Sequence, residues 1–327
     1  MLRYIGQRII SIIPTLIIIV VLGFIIMELP PGDYVTYEVA RLMAMGNETG
    51  LEQAAALRER YALNKPAYQR FFNWIYHFVQ GDFGESFAYQ KPVRELIGQN
   101  LLMTVVLSLV SLIIAWAIGI PIGVYSATHQ YSLGDHFFTL MAFVGVGVPG
   151  FLLALVLLVV GVRYLGYLPA GLFSAQFEQA PWSFAKFLDF LKHLWVPALI
   201  VAVTQTAGLM RIMRGNLLDV FRMAYMQSAR AKGQKEGVLI WKYGVRNAIH
   251  PLIMILGTSL QSLVSGATVT AIVLNLPVMG PIYLQAVRQQ DIYLGGTMLI
   301  LVTVMLVIGN LLADILLAVV DPRIRYD

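Results

Sequence analysis

From Leu101 to Tyr125 the chain carries no charged side chain. A helix needs about 20 apolar residues to cross the hydrocarbon of a bilayer. Inside lipid every backbone polar group must be satisfied within the protein, so such a run is committed to a helix. Comparable runs recur at Ile9–Met27, Phe137–Val162, Leu194–Met210, Ile249–Leu274 and Gly295–Val320. Six membrane-spanning helices are therefore expected. Composition agrees: 58% of the 327 residues are hydrophobic and 13% are charged, against about 25% charged in soluble domains. With a mean hydropathy of +0.72, a single water-facing globule is excluded. Cysteine is absent, which removes disulfides, thiolate metal sites and a cysteine nucleophile.

Three regions follow. Residues 1–29 hold an N-terminal tail and the first span, flanked by Arg3 and Arg8. A cleaved signal peptide is the rival reading of this stretch. The apolar run is longer than a signal core, and no small-residue cleavage site follows it. Residues 30–98 open with Pro30, Pro31, Gly32 and Asp33 and mix charges of both signs, which predicts a partly helical segment on the outer face. Residues 99–327 hold the five remaining spans, with Pro149-Gly150 interrupting the third and a polar loop at 211–247 between the fourth and fifth.

Charge fixes the expected orientation. The stretch from Arg211 to Arg246 holds Arg211, Arg214, Arg222, Arg230, Lys232, Lys235, Lys242 and Arg246 against Asp219 and Glu236, a net of +6. The segment 30–98 has seven basic and eight acidic residues, a net of −1. Cytoplasmic loops carry the excess of Lys and Arg. With six spans, both termini and the +6 loop fall on the cytoplasmic side. The overall charge of +5 then reflects membrane topology rather than nucleic-acid binding.

Chemistry of its own is hard to find in the chain. No Lys follows a Gly, so no phosphate-binding G-x-x-x-x-G-K-[ST] loop exists, and there is no H-E-x-x-H zinc motif. His77, His129, His136, His193 and His250 are scattered. The potassium-filter pattern T-V-G-Y-G is missing. Asp314 is the main acid within a span, and it lies close enough to the inner boundary to reach water. No cluster of polar residues at membrane depth suggests an intramembrane enzyme, and a channel working alone has no motif in its favour.

The +6 loop has internal order. Leu217, Leu218, Phe221, Ala224, Tyr225 and Ala229 recur at three- and four-residue spacings from Met213 to Lys232, which predicts an amphipathic helix. Gly233 and Gly237 can end it. From pattern alone such a helix could lie on the membrane surface or dock in a groove of a partner.

The run Tyr225-Met226-Gln227-Ser228-Ala229-Arg230-Ala231-Lys232-Gly233, followed by Arg246-Asn247-Ala248 and Pro251, resembles the coupling loop of ABC-transporter permeases, nearest the dipeptide/oligopeptide importer branch. Further matches keep the same order along most of the chain. They are Arg8 and Pro14, Pro31-Gly32-Asp33, Leu63-Asn64-Lys65-Pro66, Gly81-Asp82-Phe83-Gly84-Glu85-Ser86, Gly119-Ile120-Pro121-Ile122-Gly123-Val124 and Asp321-Pro322-Arg323-Ile324. Three places depart from the pattern. Gln227, Ser228 and Ala229 stand where many permeases have E-A-A, Ala224 stands where this branch often has an acid, and Leu276-Pro277-Val278-Met279-Gly280 lacks the Trp of W-P-G-L-G.

The resemblance implies an all-α integral membrane protein with the type I ABC importer permease fold and a cytoplasmic coupling helix between spans four and five. The chain would be the first permease subunit of a heteromeric importer in the cytoplasmic membrane. Its partners would be a second permease, two ATPase subunits that hold ATP and Mg, and an external solute-binding protein, with lipid around the spans. Tyr225, Gln227, Ser228, Ala229, Arg230, Ala231, Lys232 and Gly233 would meet an ATPase. The pathway candidates are Thr258, Gln261, Ser262 and Ser265, residues that could equally serve helix packing. Peptide is the expected cargo; oligosaccharide, nickel chelate or glutathione would use the same machinery.

Overall fold

The computed structural model describes residues 2–29, 31–44, 54, 58–59, 63–166, 170–256 and 268–320. The pathway candidates Thr258, Gln261, Ser262 and Ser265 lie outside the described residues, as do Pro30 and the Asp321–Ile324 motif. In chain order the principal elements are α1 (Leu2–Glu28), α2 (Tyr34–Ala44), α3 (Ala67–Val79) and a two-residue hairpin of β1 (Glu85–Ser86) and β2 (Lys91–Pro92). There follow α4 (Val93–Thr128), α5 (Leu133–Gly147), α6 (Gly150–Val160) and α7 (Phe184–Phe221). Last come α8 (Ala224–Ala231), α9 (Thr268–Val273), α10 (Met279–Arg288) and α11 (Ile292–Val320).

Among the described residues, α4, α7 and the stretch Ile292–Leu317 of α11 are each long and apolar enough to cross a membrane. The interrupted third span takes a definite form: α5 and the helical stretch Gly150–Tyr164 meet at 100°. Val148 is extended and Pro149 precedes the new helix. Proline disfavours helical geometry in the residue before it, so the break follows from Val148-Pro149. Pro14, Pro121 and Pro197, by contrast, stay inside continuous helices.

The described residues divide into two compact units. The first comprises 1–103 and 278–305. Its core joins Val20, Phe24 and Met27 of α1 to Trp74 of α3 and to Ile292 and Ile300 of α11. Trp74, 2% exposed, lies flat against Gly296, where a Cβ would meet its ring at 2.6 Å. Glycine is needed there for close approach. Arg70 and Glu28 pair at 2.6 Å beside this core.

The rest of that unit is pinned by carboxylates. Asp33 accepts from the Thr36 amide at 2.7 Å and from Arg58 Nε at 2.9 Å. Burial pushes its pKa up, but the bonds from Arg58 and Thr36 outweigh that and hold it at about 2. Asp291 is fully buried and stands at the N-terminus of α11. It accepts from Ser86 Oγ at 2.6 Å and from the amides of Ala88 and Leu294, each at 3.1 Å. Burial raises its pKa against the pull of these donors. Gly84 has φ +75°, and a Cβ there would meet Tyr293 at 2.4 Å.

The second unit comprises 104–277 and 306–327. Its helices approach closely through small residues, as membrane helices do. On α4, a Cβ at Gly119 or Gly123 would meet the α7 carbonyls of Thr206 and Met210 at 3.0 and 2.8 Å. Gly145 of α5 lies similarly near Ala207. The N-terminus of α7 is capped by Ser183, whose hydroxyl accepts from the Lys186 amide. Lys186 is buried, donates to the Ala180 carbonyl at 2.6 Å and lies over the rings of Phe173 and Trp182. Cation and aromatic faces thus close a knot ahead of the span.

Candidate coupling surface

Beyond Met210, α7 does not become a loop. It continues to Phe221, so the first part of the 211–247 range is helical. Met213, Leu217 and Val220 supply the reason: they recur at helical spacing and are buried. The single helix expected over Met213–Lys232 is corrected to two. Arg222 ends α7, Met223 is extended at φ −71° and ψ 146°, and α8 begins at Ala224. The break lets Met226 turn back onto the cluster that α7 already covers.

That cluster contains Val124 and Ala127 of α4, Met213, Leu217 and Val220 of α7, Met226 of α8, and then Leu239, Val245, Ala248 and Leu252. Met226 is 1% exposed and Leu239 is fully buried. Burying a methionine side chain contributes about 1.5–3 kcal/mol, enough to fix one face of an eight-residue helix that would be marginal alone. Ala229 packs partly against the same core. Gly244 lies where a Cβ would meet Leu217 Cδ1 at 2.9 Å, so the returning segment also packs closely.

With Met226 inward, the other side chains face out. Tyr225, Gln227, Ser228, Arg230, Ala231, Lys232 and Gly233 are exposed, and Ala229 is half-buried. The expected residues therefore form one contiguous surface on α8 and its C-terminal turn. Burial pushes the Tyr225 hydroxyl pKa up, against a hydrogen bond to Asn247. The helix ends in a Schellman turn. The Gly233 amide donates to the Arg230 carbonyl at 3.0 Å, and the Gln234 amide donates to the Ala229 carbonyl at 3.3 Å. Gly233 has φ +72°, a conformation that penalises any side chain, while among the described residues a Cβ there would meet nothing within 4 Å. Backbone freedom, not local crowding, is what this position needs within the chain.

Sequence reading missed three features that hold this region. The anchor Met226 was quoted within the motif, but only its burial distinguishes it. Glu236 returns across the Gly233 turn and pairs with Arg230 at 2.9 Å, so a carboxylate meets the helix end although the E-A-A acid is absent. The third is a bidentate pair at the start of α5, where Asp135 accepts from Arg214 Nε at 2.8 Å and Nη2 at 2.7 Å. Asp135 also accepts from the Tyr131 amide and the Thr139 hydroxyl. Among the described residues no group of three or more His, Cys, Asp or Glu could hold a metal ion.

The short basic helix α8 thus packs one face on the core shared by α4, α7 and the returning segment and leaves its other face exposed. Comparison with known proteins gives the class to which such a chain belongs. Residues 119–326 match the family of binding-protein-dependent transport system inner membrane components. The chain is 38% identical to the oligopeptide transport system permease protein AppB of Bacillus subtilis over the full length of both. It is 31% identical, again at full length, to the oligopeptide permease OppB of Haemophilus influenzae and to the glutathione permease GsiC of Salmonella typhimurium. The chain belongs to this family of inner-membrane transport components, and is a multi-pass permease subunit of such a system.

Proposed function

We propose that this chain forms half of the pathway of an ATP-driven importer of di- and oligopeptides. It pairs with a second permease, receives cargo from an external solute-binding protein, and is driven by two ATPases that carry ATP and Mg. In this reading the chain has six spans with both termini in the cytoplasm, and α8 there is the coupling helix. The outer segment 30–98 meets the binding protein, and spans two to five of the core 99–327 line the pathway, with Thr258, Gln261, Ser262 and Ser265 as candidates in the fifth. The observation that carries this reading is the α8 surface, anchored by Met226 and Ala229 and presenting Tyr225 through Gly233 outward, in a chain whose relatives are named peptide permeases. The glutathione permease among them supports a second cargo, itself a short peptide.

Because the chain lacks cysteine, docking can be tested with single introduced thiols. Gln227→Cys, on the exposed face, should cross-link to a cysteine placed in the ATPase groove, with a yield that changes on ATP binding. Trp241→Cys, exposed on the returning segment, serves as the comparison. An importer that transports normally while Gln227→Cys never cross-links would refute the docking.

A further inference from the structure

Within the second unit, the packed pair α5 and α7 presents two chemically different sides. One is a groove walled by Ile118 and Ile122 of α4 and Phe138 and Met141 of α5, with Val203 and Met210 of α7 as its floor. Thr206 brings its only polar side chain among the described residues. The other side of α7 carries Thr204, Gly208, Arg211 and Gly215, at successive spacings of four, three and four. Residues so spaced share a face. Among the described residues, a Cβ at Gly208 or Gly215 would meet nothing within 4 Å, nor would one at Gly147 of α5. This side is therefore open and partly polar, and Arg211 is exposed on it.

Arg211 is held by an aromatic ring rather than by a carboxylate. Its guanidinium lies 5.1 Å from the ring centroid of Phe143 on α5. Helical side chains lean toward their own N-terminus, so Arg211 leans away from α8 and along the apolar stretch. Phe143 stands two turns beyond Asp135 in α5, roughly 12 Å at 1.5 Å per residue. Asp135 is where the neighbouring Arg214 finds its carboxylate. Arg211 pairs with no carboxylate among the described residues. An arginine that merely satisfied topology would reach back toward the polar end, as membrane-interface arginines do. One that reaches inward is costly in lipid and belongs against a water-filled cavity or an anion.

We propose that Arg211 is a specificity-determining residue of the pathway: its guanidinium, backed by Phe143, takes the free C-terminal carboxylate of a passing peptide. The inference rests on the peptide-import reading above. The planar fork matches a carboxylate with two parallel hydrogen bonds, and stacking on an aromatic ring suits arginine better than lysine. Phe143 is 56% exposed, which leaves room on the ring for a substrate side chain beside the cation. The open glycines on both helices leave space for a peptide backbone.

The test uses the complete importer in proteoliposomes, loaded with one labelled peptide as the free acid and as its C-terminal amide. Each variant is compared with wild type peptide by peptide, so that any selectivity of the binding protein cancels. Arg211→Gln should lower free-acid uptake about tenfold, the loss of roughly one charge-assisted bond, and amide uptake less than about twofold. Arg211→Lys, which keeps the charge without the fork, should fall between. An equal fall for both peptides would assign Arg211 a structural role and overturn the proposal. No change for either would place it against lipid or the second permease and overturn it equally. If the wild-type assembly imports neither peptide, the peptide pathway itself fails, and this assignment fails with it.

Discussion

The ion pair between Asp135 and Arg214 fixes the start of α5 to α7, about two turns before α7 ends at Phe221. Asp135 is 2% exposed and receives both guanidinium bonds, the Tyr131 amide and the Thr139 hydroxyl. The Arg214 side chain is 24% exposed, so water relieves part of its cost when unpaired. Two charge-assisted bonds at about 1.5–3 kcal/mol each, reduced for that exposure, give about 2–3 kcal/mol for Asp135→Ala. A fully buried pair would lose about 3–5 kcal/mol. Arg214→Met should lose more, because it strips the countercharge from a carboxylate that is almost fully buried, although two other bonds to it remain. In the double variant no unpaired cation remains, so the losses should not add. The coupling should be about 1–2 kcal/mol, well above the additivity error of about 0.5 kcal/mol. The assay is reversible unfolding of the purified permease in bicelles, run as a double-mutant cycle. Additive losses would show that the pair contributes no mutual stabilisation, and the reasoning would be wrong.

Three further outcomes follow from the same geometry. Gly233→Asp should insert and fold, since a side chain there meets nothing, yet lose ATP hydrolysis stimulated by loaded binding protein; normal coupling in reconstituted complexes would count against the docking surface. Gly84→Ala combines φ +75° with a Cβ crowded against the Tyr293 ring and should destabilise the segment around it by about 2–3 kcal/mol, read as faster amide exchange over 82–93. Asp33 titrates at about 2 against a reference of 3.8. Its ionised form therefore stabilises the fold above about pH 4, and that contribution is lost as pH falls through 2. Arg58→Gln should return its NMR titration toward 3.8, and an unmoved midpoint would remove Arg58 as the cause.

What the sequence showed and hid divides by physical range. Long apolar runs predict α4, α7 and α11 because span length is set by the bilayer, and Val148-Pro149 predicts the break because proline acts on its immediate neighbour. The site surface was legible as a motif and as a three-to-four spacing. The division of that helix at Arg222–Met223 was not, since neither glycine nor proline marks it. The turn arises because Met226 can be buried on the α7 cluster only if the chain changes direction there. Asp135 and Arg214 are 79 residues apart, and no local pattern ties them. Arg211 and Arg214 looked alike as loop cations. Only the packing of α5 against α7 separates one that finds Asp135 from one that lies on Phe143.

The central claim is that this chain moves peptide only as part of an ATP-driven assembly. The most direct test is uptake of a labelled peptide mixture into proteoliposomes containing this chain, its companion permease and the ATPases, with the binding protein outside. The account predicts peptide in the lumen that requires ATP, the binding protein and an intact α8 surface. Peptide uptake that persists without ATP or without the ATPases, or an assembly in which this chain leaves ATP hydrolysis unchanged, would contradict it.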